Sequence, residues 1–164
     1  MAARILDLCD ALAATVQAAW APTAPDAVSR EYGLEVGLDP TYADILLTGR
    51  KVYVFPASYN NDRILDRKST LDKYTVSVLI CERFSDVAGS INKAWMDARV
   101  LFVEQSILRT LSNLEYRPLA SGSYRGMTID PEQLGVVDVV FDRDLYMQRK
   151  TFWSQCTFVY QEAN

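Results

Sequence analysis

The stretch KYTVSVLICERF, residues 73–84, decides the fold. From Tyr74 to Ile80 every second side chain is aromatic or β-branched, and the side chains between them start out polar, which predicts a half-buried β-strand. Leu79 and Cys81 then make the polar face apolar as well, so we expect a helix or a neighbouring subunit to cover it. The run is longer than a usual strand, and we place it at the centre of a sheet.

Composition indicates one folded domain spanning residues 1–164. The chain has 164 residues, of which 49% are hydrophobic, enough for a sizeable core. Its formal net charge of −4 argues against a protein that wraps nucleic acid. Three cysteines without a CxxC motif favour buried free thiols in a reducing compartment. Asp7 and Asp10 interrupt the N-terminal apolar run, so we expect no signal peptide and no membrane span.

The sequence has no pattern of a catalytic or metal site. It contains no histidine, the commonest general base and metal ligand. Asp138, Asp142 and Asp144 lack the glycine and glutamate of a calcium loop, and the run Gly122–Gly126 lacks a phosphate-binding lysine. Cys156 has no histidine to activate it. We therefore predict no catalytic residue, no cofactor and no metal.

Two helices are predicted beside the sheet. Helical spacing of apolar residues predicts one helix over residues 3–20, ended by the proline-containing run 21–25, and another over 91–113. Trp95 and Phe102 lie nearly opposite the main apolar stripe of the second helix. We expect the N-terminal helix or a partner to cover them.

The strands predict an α+β fold. Residues 50–56 and the central strand form an extended antiparallel hairpin with a charged tip, joined by a long polar connection at 57–71. Pro56 is expected to end the first of these strands or to mark an exposed end. Further strands are predicted at 27–36, 136–141 and 151–161. The predicted architecture is a mostly antiparallel β-sheet with a long β-hairpin, packed by an N-terminal helix and a central helix.

Three local patterns accompany this order of elements. They are Arg30-Glu-Tyr32 ahead of the strand Val52–Pro56, Asp72-Lys-Tyr74 after a loop containing Asp66-Arg67, and Asp144-Leu-Tyr146 ahead of Phe152 and Thr157–Tyr160. With them the chain resembles the tail terminator (tail-completion, or neck) proteins of tailed bacteriophages. The resemblance covers most of the chain and consists of strand and turn residues, with no active-site signature.

The resemblance implies a structural virion protein rather than an enzyme, located in the tail or neck and assembled in the host cytoplasm. Such proteins form a six-fold ring at the head-proximal end of the tail tube, stop tube polymerisation and join the tail to the head connector. The implied partners are further copies of the chain, the tail tube protein and the connector proteins. Genome DNA passes through the ring without specific binding, which a net-negative wall favours.

The candidate interface residues follow from the same expectation. A hairpin that reaches beyond the body of the protein would present its charged tip to a subunit or to the tube, although a solvated loop is the alternative. Aromatic side chains on the second helix are candidate anchors, although burial under the N-terminal helix is the alternative. The candidates are Asn60, Asn61, Asp62, Arg63, Asp66, Arg67, Lys68, Trp95 and Phe102.

Two other functions stay open at this point. One is another head–tail joining or neck subunit, which only the identity of its partner would separate from a terminator. The other is a small soluble enzyme that uses carboxylates or tyrosine as its acid and base, which a pocket with convergent ionisable groups would favour.

Overall fold

Three long antiparallel strands form the centre of the sheet. The computed structural model describes residues 4–32, 49–63, 70–83, 93–112, 128–129, 136–139, 141–142, 144 and 151–163. The strands are β1 (Ala27–Ser29), β2 (Arg50–Arg63), β3 (Thr70–Arg83), β4 (Thr128–Ile129), β5 (Val136–Val139) and β6 (Thr151–Ala163). The helices are α1 (Arg4–Trp20), α2 (Lys93–Phe102), a π-helical segment (Val103–Leu108) and α3 (Arg109–Ser112). The last three run on from one another, and together we call them the central helix (93–112).

The sheet has the order β1-β2-β3-β6-β4, and β5 also pairs with β6. β1 runs parallel to β2, whereas the other described pairings are antiparallel. β3 therefore lies between the two other long strands, which confirms that the stretch at 73–84 is central. The α+β fold with a long hairpin, an N-terminal helix and a central helix is also confirmed.

Both helices pack on one face of the sheet. Leu8, Leu12 and Val16 of α1 are fully buried, and they share one apolar cluster with Val78 of β3. The central helix adds Val103, Ile107 and Leu111 to that cluster. A fully buried side chain of this size stabilises a fold by about 1.5–3 kcal/mol. This layer therefore holds the hairpin in place.

The opposite face of the sheet carries a smaller buried cluster. Tyr53, Leu79 and Cys81 form it, with Phe55 and Trp153 packed at its border. Cys81 is fully buried within the single chain, so no neighbouring subunit is needed to cover it. The described helices contribute no residue to this cluster, and the expectation that a helix covers this face is not met by them.

The first strand of the hairpin is twice as long as predicted. β2 continues through Pro56 to Arg63 and β3 begins at Thr70, so the prediction of a polar connection at 57–71 is wrong for residues 57–63 and 70–71. The pairing with β3 shifts register between Pro56 and Ser58, which makes Ala57 a bulge residue. β1 pairs with β2 only as far as Tyr53, and proline is tolerated at such an edge because its missing N–H leaves no ladder bond unmade.

The central helix departs from ideal α geometry at its middle. In the π-helical segment the N–H of Arg109 donates to the carbonyl of Glu104, and the two side chains form an ion pair at 2.9 Å. A π-turn spans more residues than an α-turn, so the buried face rotates along the helix. Phe102, just before this segment, consequently shares the core with Ile107 and Leu111 beyond it, although an unbroken α-helix would place it on nearly the opposite side from them.

Candidate functional site

The hairpin is backed by a third strand along its whole described length. β6 pairs with β3 from Arg83 back to Leu71, and β2 pairs with β3 as far as Arg63. The described hairpin is therefore part of the sheet and not a free arm. The connection at 64–69 lies outside the described residues.

The bulge at Ala57 changes which side chains of β2 face the helices. Before the bulge Val52 and Val54 lie in the core. After it Tyr59 stands opposite Tyr74, and Asn61 stands opposite Asp72. The strict period-two pattern of a strand ends at the extra residue. The proximity of these four polar side chains could therefore not be predicted from the sequence alone.

The buried carboxylate of Asp72 binds the polar side chains around it. Asp72 is 8% exposed and accepts hydrogen bonds from the Tyr59 hydroxyl at 3.1 Å, from the Asn61 amide and from the Tyr74 hydroxyl at 3.5 Å. The rings of Tyr59 and Tyr74 lie 5.3 Å apart between centroids. A buried carboxylate is tolerated only when donors surround it, and two of these donors come from β2.

A second carboxylate lies next to Asp72 on the neighbouring strand. Glu162 of β6 stands opposite Asp72, and Arg4 at the start of α1 binds it through two nitrogens at 2.5 and 3.1 Å. Burial, together with the charges of Asp72 and Glu162, raises the pKa of Tyr74 to about 12. The hydroxyl of Tyr74 is therefore protonated at neutral pH and can donate.

An uncharged surface lies on the outer side of this cluster. Residues 57–61, with the sequence ASYNN, are all exposed, and Tyr59 is 55% exposed. Among the described strands, β2 has a neighbour on one side only after Tyr53. We call residues 57–61 the neutral edge. Of the neutral edge, only Asn60 and Asn61 were predicted as interface residues, because the prediction emphasised the charged residues that follow them in the sequence.

The predicted charged tip is described only in part. Asn60 and Asn61 lie in β2, and Asn61 turns back to Asp72. Asp62 and Arg63 end the strand, paired with Leu71 and Thr70. The candidates Asp66, Arg67 and Lys68 lie outside the described residues.

The two aromatic candidates on the central helix pack inside the chain. Phe102 is 8% exposed, and its ring lies 4.8 Å from that of Trp20 at the end of α1. Trp95 is half-buried, with its ring 6.4 Å from that of Phe152 in β6. The N-terminal helix thus covers Phe102, and the structure brings neither residue next to the neutral edge.

An ion-pair cluster fixes the base of the hairpin to the central helix. Glu82 of β3 binds Arg50 at 2.9 Å and Arg99 at 2.5 Å. The guanidinium of Arg50 lies 4.2 Å from the ring centroid of Phe102, and that of Arg99 lies 3.9 Å from that of Trp95. The sequence carried no signal for this cluster, because only the register places Arg50 opposite Glu82.

Two core side chains, Cys9 and Tyr160, have pKa values raised by burial. Burial raises the pKa of Cys9 to about 12, which keeps its thiol protonated and unreactive. Burial also raises the pKa of Tyr160 above its ordinary value. Within the described ranges no three His, Cys, Asp or Glu side chains come together as metal ligands, and no described helix has the length and apolar character to cross a membrane.

No protein-family model matches this chain. A comparison with curated proteins likewise finds no match. Three features therefore bear on the function: the geometry of the neutral edge, the cluster around Asp72 behind it, and the local sequence patterns that accompany the fold.

Proposed function

We propose that this chain is a structural subunit of a tailed phage, a tail terminator that forms a six-fold ring at the head-proximal end of the tail tube. In this role it ends tube polymerisation and joins the tail to the head connector. The observation that carries the proposal is the neutral edge, an exposed stretch of strand whose Tyr59 and Asn61 are held from behind by the buried carboxylate of Asp72. The order of elements and the three local patterns support the same role.

The neutral edge has the chemistry of a protein contact. Tyrosine, serine and asparagine provide a large ring and adaptable hydrogen bonds without a net charge, as they do in antibody binding loops. An exposed strand edge also offers backbone donors and acceptors to another chain. The contacts of Tyr59 and Asn61 with Asp72 order this edge before binding, which lowers the entropic cost of association.

A ring also fits the charge of the molecule. Head-to-tail contacts between identical subunits close into a ring when their rotation adds up to a full turn. With a net charge of −4 per chain, such a ring repels the phosphates of DNA and releases few counterions on contact. DNA then slides through the ring without being retained.

Tube growth in the presence of the protein tests the proposal. Purified tail-tube protein of the same phage is polymerised with and without the chain, and the tubes are measured by electron microscopy. We expect shorter tubes with extra density at one end. Tubes of unchanged length without end density would contradict the proposed function.

A charge-reversal pair tests whether the charged tip takes part in the contact. Arg63→Glu with Arg67→Glu is expected to fold normally and to reduce capping. The matched control is Lys93→Glu with Arg109→Glu, which makes the same change of charge on exposed positions of the central helix. Equal capping by both double variants would exclude the tip from the contact.

A further inference from the structure

We infer that Asp72 is the positioning residue of the hairpin: its carboxylate holds the outer part of β2, residues 58–63, in one register and orientation on β3. The outer part begins after the bulge at Ala57. Asp72 itself lies on β3, and it reaches across to Tyr59 and Asn61. These two residues sit in the middle of the outer part.

The backbone pairing with β3 and the ring contact of Tyr59 with Tyr74 also hold the outer part of β2, which is otherwise polar. Beyond Tyr53 no described strand pairs with its outer side, and residues 57–61 are exposed. A one-residue slip moves every side chain of a strand to the other face. Polar, exposed strands resist such a slip weakly, because no apolar face opposes it. The directional contact from the buried carboxylate of Asp72 adds a restraint on the register.

Asp72 is suited to this role because β3 is itself held from the other side. β6 pairs with β3 through this region, with Glu162 opposite Asp72. Arg4 of α1 binds Glu162 through two nitrogens. The carboxylate of Asp72 therefore stands on a fixed strand, and the donors of β2 are brought to it.

The contact couples the burial of Asp72 to the position of β2. Asp72 is 8% exposed, and a buried carboxylate without donors is costly. If residues 58–63 move away, the donors from Tyr59 and Asn61 are lost together. The outer part should therefore open and close as one unit, separately from the core strands.

This inference rests on the proposed function only in its last step, where a fixed orientation of Tyr59 serves docking. Its first test needs no partner. Hydrogen exchange measured by mass spectrometry compares the parent with Asp72→Asn, which keeps the shape of the side chain but replaces one acceptor oxygen with a donor. The matched control is Asp97→Asn, which removes an exposed carboxylate paired with Lys93.

We expect Asp72→Asn to speed exchange of the amides at 58–63 by about tenfold or more, since bonds to charged groups are the stronger ones. The amides at 76–80 should keep their protection, and Asp97→Asn should leave both segments unchanged. Exchanging the two side chains, with Asp72→Asn and Asn61→Asp together, should restore much of the protection. Unchanged exchange at 58–63, or an equal increase in both segments, would overturn the inference.

A second variant covers the case in which Asp72→Asn does not fold. Tyr59→Phe with Asn61→Ala removes the two donors of β2 at exposed positions and leaves the carboxylate in place. The same loosening of 58–63 is expected, and its absence would overturn the inference. Failure of the parent protein to cap tubes would contradict the proposed function and leave the exchange result standing.

Discussion

The Tyr160 hydroxyl illustrates how a single buried polar group can lower the free energy of unfolding. Its side chain is 1% exposed, and the hydroxyl has no hydrogen-bond partner within the described part of the chain. An unsatisfied buried hydroxyl is unfavourable relative to water, whereas a ring without it is not. Its place in β6 was predictable from the alternation of the last strand, but its missing partner was not, because that depends on how α1 packs.

We expect Tyr160→Phe to raise the free energy of unfolding by about 1 kcal/mol, because the substitution removes the unpaired hydroxyl and keeps the ring. The matched control is Tyr74→Phe, which removes a hydroxyl that donates to Asp72 and should lower the free energy of unfolding. Urea unfolding followed by fluorescence measures both. A loss of stability in Tyr160→Phe would show that its hydroxyl is satisfied.

At the scale of elements, regular amphipathic segments were predictable and irregular ones were not. α1 ends at Trp20, as the proline-containing run predicted. The full length of β2 was not predicted, because Pro56 was expected to end the strand or to mark an exposed end. No described strand pairs with the outer side of β2 at this position, and a bulge follows it. The main apolar stripe of the central helix was predictable, and Val103, Ile107 and Leu111 lie in the core. The burial of Phe102 beside it was not, because a π-turn changes the rotation that periodicity takes as 100° per residue.

The end of α1 offers a test at this scale. Ala21 has a φ of 49°, and its N–H donates to the Gln17 carbonyl at 2.9 Å. Glycine occupies this left-handed conformation without the steric cost that a Cβ brings. Ala21→Gly should therefore raise the free energy of unfolding by about 0.5–1 kcal/mol.

Ala14→Gly is the control for that substitution, because Ala14 is exposed in the middle of α1. There glycine should lower the free energy of unfolding by about 1 kcal/mol. Thermal unfolding followed by circular dichroism compares the two variants. Changes of the same sign would contradict the assignment of Ala21 as the helix cap.

At the scale of the whole molecule, the sheet has one face under the helices, and among the described strands none pairs with β2 on its outer side beyond Tyr53. The sequence was sufficient to predict the layers and the central strand. The cluster around Asp72 was not predictable, because it depends on the bulge at Ala57 and on the register of three strands. For the same reason the neutral edge was recognised only in part, through Asn60 and Asn61.

Native mass spectrometry of the purified protein, alone and after mixing with tail tubes, tests the central proposal most directly. We predict a six-subunit ring, present in the free protein or formed on tube ends, since a terminator must close around the tube. A protein that stays monomeric both alone and with tubes would contradict the account.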